Sequence, residues 1–128
     1  MSLTDTPSLS RPSKSLLDLI GNTPMVEVTK LDTGKCRLLI KLESQNPGGS
    51  IKDRIALNMI EAAENSGLLQ PGGTIVEATA GNTGLALTLV GKQKGYNVLL
   101  VIPDKMSKEK IQHLRAMGAD VRLTRSDV

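Results

Sequence analysis

From Thr74 onward the chain alternates short apolar runs with longer runs of helical spacing, and no other feature constrains its fold so tightly. TIVEA (Thr74 to Ala78), NVLLVIP and DVRLTR read as strands bounded by turn residues. Between them NTGLALTLVGKQKG and SKEKIQHLRAMG carry the spacing of helices. Strands separated by helices of this length predict an α/β fold, with a parallel sheet and right-handed crossovers. The run Val98 to Ile102 is apolar at every position, which predicts a strand covered on both faces.

Upstream the rhythm differs. MVEV (Met25 to Val28) and RLLIKLE (Arg37 to Glu43) read as two strands joined through the turn LDTGK. In the second, Leu38, Ile40 and Leu42 share one face, while Lys41 and Glu43 share the other. SLLDLI forms one helical turn starting from Ser15, and GNTP ends it. Residues 1–14, rich in Ser, Thr and Pro, read as a flexible tail.

The 128 residues suffice for one modest core, built without large rings because Tyr96 is the only aromatic residue. A net charge of +3 with no dense basic run and no stacking aromatics argues against nucleic-acid binding. A single cysteine, Cys36, excludes an intrachain disulfide framework. No apolar run reaches the ~20 residues of a membrane span, and no signal-peptide core is present, so the expected location is the cytoplasm.

Two loops could carry chemistry. In NPGGSIKDR, Ser50 has the character of an N-cap, and Asp53 three residues on completes a capping-box pattern. Ile55, Met59, Ile60 and Ala63 continue at helical spacing, and Gly67 closes the helix. Lys52 then lies in the first helical turn, where the positive pole of the helix favours the neutral, nucleophilic amine. On this stretch alone, a lysine that merely reaches back into solvent is the favoured reading. The second loop, EATAGNTGLAL, joins a strand end to a helix start, the place where ligands gather in parallel sheets. Its glycines permit close backbone approach, free helix-start amides attract anions, and Thr79, Asn82 and Thr83 add polar groups. A glycine-rich turn that only caps a helix fits the same residues.

Other fingerprints fail. The chain has neither a dinucleotide-binding nor a nucleotide-phosphate glycine motif. One His and one Cys cannot build a common zinc site, so no metal is expected. His113, inside an amphipathic helix, reads as a surface or core residue, and Cys36 as a bystander in the hairpin turn.

IGNTPMVEV, KLESQNPGGSIKDR, EATAGNTGLAL and VIPDKMSKEKIQHLRAMGADV follow one another in a familiar order. It is the order seen in pyridoxal-phosphate enzymes of the cysteine synthase and cystathionine β-synthase family, which this chain resembles from about Leu16 to its end. The resemblance implies the tryptophan-synthase-β-like (type II) fold. Residues 46–128 would form the small βαβαβ domain, and residues 15–45, with the hairpin, would join a larger domain mostly missing from this sequence. It implies that Lys52 forms the Schiff base with pyridoxal 5'-phosphate and later carries a proton. It also implies that Asn82 bonds the cofactor's ring oxygen, and that Thr79, Ala80, Gly81, Asn82 and Thr83 grip the substrate carboxylate. The implied reaction is β-replacement on serine or O-acetylserine by a thiol or sulfide, in an enzyme that is a homodimer at full length.

Many relatives carry Ser where this chain has Ala80, which removes one hydroxyl from the substrate loop. PDKMSKEK looks closer to cystathionine β-synthases than to cysteine synthases. The family's cofactor-phosphate loop lies downstream of the last residue given, so the sequence reads as an N-terminal portion, inactive alone. The alternative is a truncated, non-catalytic small domain acting as a folding or association module.

Overall fold

The computed structural model describes residues 13–79 and 81–125; Ala80 and most of the expected tail lie outside the described residues. The elements run β1 (Met25–Glu27), β2 (Leu39–Lys41), α1 (Lys52–Asn65), β3 (Thr74–Ala78), α2 (Asn82–Gln93), β4 (Asn97–Pro103), α3 (Lys108–Ala116) and β5 (Asp120–Thr124). β1 and β2 form an antiparallel hairpin, and β3-β4-β5 form a separate parallel sheet in that order. The predicted α/β alternation is therefore present, and β3 and β4 match the runs TIVEA and NVLLVIP residue for residue.

Each crossover steps to the next strand in the same direction. Two right-handed crossovers of that kind put both helices on one face of the sheet. Val98, Leu100 and Ile102 are accordingly buried, clustered with Ile111 and Leu114 of α3 and flanked by Leu85 of α2. The intervening Leu99 and Val101 are only half-buried, and Val76 beside them is 59% exposed. The expectation that Val98 to Ile102 is covered on both faces is thus corrected. The helices among the described residues cover one.

α2 is the centre of the packing. Ala86, Leu87 and Val90 meet Ala56 and Ile60 of α1 in one cluster, closed by Tyr96. Each fully buried Leu or Val contributes roughly 1.5–3 kcal/mol. Gly84 and Gly91, two turns apart, let α2 lie close to β4. A methyl at Gly84 would come within 3.2 Å of Leu100 and 2.7 Å of Thr79, and one at Gly91 within 2.7 Å of Val98. At the far end of α1, Glu64 accepts from Lys94 Nζ (2.8 Å) and Tyr96 Oη (2.7 Å), tying α1 to the loop after α2.

The hairpin is shorter than its apolar pattern predicts. β2 ends at Lys41, and Glu43–Gln45 turn into a 3-10 helix. Arg54 draws the Glu43 carboxylate away from strand geometry. Its Nε and Nη2 donate to the two carboxylate oxygens at 2.8 and 3.0 Å. Leu38 and Ile40 remain exposed, and so does Leu39 on the other face. The helical turn expected from Ser15 is a 3-10 turn, Leu16–Leu19, with a capping box between Ser15 and Asp18.

Candidate functional site

The two loops singled out in the sequence become the starts of α1 and α2, and they are built differently. Lys52 is the first residue of α1, with Ile51 at the N-cap position. The Ser50–Asp53 capping box is not formed. Ser50 Oγ instead accepts the Lys52 N–H at 3.2 Å, and the Asp53 carboxylate reaches back to the Gly48 N–H at 2.5 Å. Gly49, between them, has φ +82°, a left-handed conformation that glycine adopts without a steric penalty. Asp53 is fully buried, and burial pushes its carboxyl above the usual range, partly opposed by the Gly48 hydrogen bond.

A polar network braces the same turn from the hairpin side. Thr23 Oγ1 donates to Glu43 at 2.6 Å, and Asn46 Nδ2 donates to both the Glu43 carbonyl and its carboxylate. Asn46 Oδ1 accepts the Gly21 N–H at 2.8 Å. The Arg54 guanidinium, and after it the Thr23 hydroxyl, hold the Glu43 carboxyl down at about 2. Lys52 is the exception within this tightly bonded segment. It is half-buried, and among the described residues its ammonium makes no hydrogen bond or ion pair.

The start of α2 is bare. Gly81 is its N-cap and supplies no side-chain bond, so the first amides of the helix, at Asn82 and Thr83, have no intrahelical acceptor. Asn82 is exposed, Thr79 and Thr83 are half-buried, and Thr79 Oγ1 accepts the Gly81 N–H weakly at 3.4 Å. Gly81 has φ −137°, which any residue can adopt, and a methyl there would meet nothing within 4 Å. Neither backbone strain nor protein packing demands this glycine.

Gly81 and Asn82 line a cavity of about 290 Å³ that is also lined by Met106, just before α3, and by Lys110 and His113 of α3. It lies beyond the carboxyl ends of β3 and β4, where parallel sheets place ligands. Lys52, Thr79 and Thr83 do not line it. Sequence reasoning missed this wall. The signal was partly there: Lys110 and His113 lie three apart, on one side of a helix that Ser107 caps, and Met106 directly precedes that cap. His113 is exposed, as one of its two sequence readings expects, and Cys36 is exposed in the hairpin turn. Among the described residues no cluster of His, Cys, Asp and Glu could hold a metal, and no helix is long and apolar enough to cross a membrane.

Residues 16–128 match the model of the pyridoxal-phosphate dependent enzyme family. The chain belongs to that family. It is 51% identical over 119 residues to the cystathionine beta-synthase of Mus musculus, covering 88% of this chain and 21% of that protein. It is also 51% identical over 111 residues to a cysteine synthase of Flavobacterium sp., covering 87% of this chain and 36% of that one. Among solved structures it resembles a hydrogen sulfide-producing enzyme from Fusobacterium nucleatum, with TM-score 0.87, 48% identity, and 93% and 39% of the two chains covered. It also resembles the O-acetylserine dependent cystathionine beta-synthase from Helicobacter pylori, with TM-score 0.80, 39% identity, and 91% and 39% covered. The family's cofactor is pyridoxal phosphate, and this chain spans between 21% and 39% of the length of these relatives.

The residues present suit that cofactor. Among the described residues, a primary amine without a partner stands at one helix start, and open amides with an unpartnered carboxamide stand at the other. The space around Gly81 is one that the protein itself leaves unfilled.

Proposed function

We propose that this chain supplies the lysine-bearing part of a pyridoxal-phosphate-dependent β-replacement enzyme of sulfur amino-acid metabolism. The enzyme joins serine or O-acetylserine to a thiol or sulfide. Its relatives by name are cystathionine beta-synthases and cysteine synthases, and both chemistries fit this role. When bound, the cofactor supplies an electron sink that lets a serine-like substrate lose its α-proton and its β-substituent.

The chain's own residues do the rest. Lys52 Nζ carries the cofactor covalently and, once released, moves a proton at the substrate α-carbon. The field at the start of α1 disfavours its ammonium form and so keeps the amine nucleophilic. Asn82 orients the cofactor ring through its carboxamide. The amides that open α2, with Thr79, Gly81 and Thr83, bind the substrate carboxylate. Ala80 belongs to the same loop by position. Residues 46–128 form the small domain of the enzyme, and residues 15–45 belong to its larger one. The working form is a cytoplasmic homodimer, and these 128 residues alone turn over no substrate.

One observation carries this reading. Among the described residues Lys52 has no side-chain partner, in a segment where its neighbours Ser50, Asp53 and Arg54 are all hydrogen-bonded. Borohydride reduction of the complete holoenzyme, followed by peptide mapping, places the pyridoxyl label on Lys52. A label on Lys41 or Lys92 would overturn the assignment.

A further inference from the structure

Asp53 is not a surface carboxylate that happens to follow Lys52. It is fully buried, at the second position of α1, and one of its oxygens accepts the Gly48 N–H. The other oxygen, Oδ1, is buried with no hydrogen-bond partner among the described residues. Gly48 lies against the carboxylate itself, since a methyl built there would stand 2.3 Å from Oδ1 and 3.0 Å from Cγ. A buried carboxylate with one oxygen unmet carries an uncompensated desolvation cost. Such a group persists where another requirement fixes it.

Three bonds brace the segment around Lys52, while its own ammonium has no partner among the described residues. Ser50 Oγ holds the Lys52 N–H, Asp53 holds Gly48 across the turn, and Arg54 holds Glu43 outside it. The first ties Lys52 to its own turn, and the third ties α1 to the hairpin segment. The Asp53–Gly48 contact, with the Gly49 N–H bonded to the Asn46 carbonyl at 2.8 Å, closes the turn over the helix start from which the Lys52 side chain departs. Position is what a covalent carrier needs, because displacement of a reacting group by about 1 Å can cost on the order of a hundredfold in rate.

We propose that Asp53 is a positioning residue for Lys52, acting by clamping Gly48 against the first turn of α1 so that Nζ is aimed at the cofactor's reacting carbon. This rests on the assignment of Lys52 as the cofactor-bearing amine.

The test is a double-mutant cycle in the complete enzyme, stripped of cofactor and reloaded with pyridoxal phosphate. The readout is the rate at which a borohydride-reducible link forms at Lys52, alongside the melting temperature of each apoenzyme. Asp53→Ala and Gly48→Ala each slow loading by about tenfold to about a hundredfold. The two substitutions do not multiply, because the three atoms nearest a Gly48 methyl all belong to the carboxylate that Asp53→Ala removes. Asp53→Asn, which keeps an oxygen for the Gly48 N–H, loads within about threefold of the parent, and it decides the matter if Asp53→Ala does not fold. Loading at the parental rate in both single variants overturns the proposal, as does multiplicative loss in the double variant or a tenfold loss in Asp53→Asn. Lys52→Ala separates the two assignments. If it still gains a reducible link, the Lys52 reading fails, whereas a linkless Lys52→Ala beside parental Asp53→Ala and Gly48→Ala refutes the role of Asp53 alone.

Discussion

The starts of α1 and α2 offer the same physical resource, a helix N-terminus with free amides, and the chain treats them in opposite ways. At α1 nearly every polar group is spoken for. Gly48 is bonded to Asp53, Arg54 to Glu43 and Thr23, and Ser50 Oγ to the Lys52 N–H, while the Lys52 ammonium has no partner among the described residues. At α2 almost nothing is spoken for. A glycine caps the helix, and among the described residues no side chain satisfies its amides and the Asn82 carboxamide has no partner. A braced turn suits a group whose direction must be fixed before a ligand arrives. A bare turn suits a ligand that itself completes the hydrogen bonding.

The largest effect that can break this comparison is all-or-none. Lys52→Ala in the complete enzyme removes the borohydride-reducible cofactor link entirely. Its melting temperature should change little, because the side chain makes no polar contact to lose. A large drop in stability would mean that Lys52 is a structural member of the braced turn and not its free end.

At α2 the two nearby glycines predict contrasting outcomes. Gly81→Ala costs the fold little, since the added methyl meets open space and the backbone angle is ordinary. Carboxylate binding should nevertheless fall by about tenfold or more, because a ligand held by helix-start amides would occupy that space. Asn82→Ala should weaken amino-acid binding on the same scale while leaving the melting curve in place. Spectral titration with serine reads both, and parental affinity in either variant would show that α2 does not bind the substrate. Gly84→Ala is the converse, a smaller effect felt in folding. Its methyl would press on Thr79 and Leu100 at 2.7 and 3.2 Å. Overpacking of that kind costs about 1–3 kcal/mol, measured by denaturant unfolding. A neutral Gly84→Ala would mean that α2 is free to shift off the sheet.

What was legible in the sequence divides along the same line. β3 and β4 were readable because turn residues and apolar runs act locally, and their bounds are those of TIVEA and NVLLVIP. The strand expected from Arg37 to Glu43 forms only at its centre, Leu39–Lys41, because Glu43 is claimed by Arg54, eleven residues away, and no local pattern announces that bond. Asp53 looked like half of a capping box with Ser50, but the glycine turn brings Gly48 nearer, and the carboxylate bonds there. The wall of Met106, Lys110 and His113 becomes part of a cavity only when α3 packs beside α2. The roles of Lys52 and Asn82 came from family resemblance, and spacing alone left each beside an ordinary structural reading.

The smallest expected effect is a titration, and it separates the two helix starts by pH. Glu43 has an ordinary value of 4.5 and is held at about 2 in the fold, first by the Arg54 guanidinium and then by the Thr23 hydroxyl. A carboxyl depressed on folding stabilises the fold fully above its unfolded value, and that contribution disappears as pH falls from about 4.5 through about 2. Asp53 has the opposite sign. Burial raises its value above 3.8, so its contribution is greatest below that point and declines as pH rises through the folded value. On acidification the brace between Glu43 and Arg54 weakens while the strain of a buried Asp53 charge is relieved, so the two partly cancel. Glu43→Gln removes one side of that balance. Its melting temperature should lie below the parent's near neutrality and converge on it as pH falls from about 4.5 toward about 2. Gly81→Ala, at the helix start without an ion pair, should follow the parent across the same range. A constant offset between Glu43→Gln and the parent would show that the Glu43 charge contributes nothing to the brace at α1.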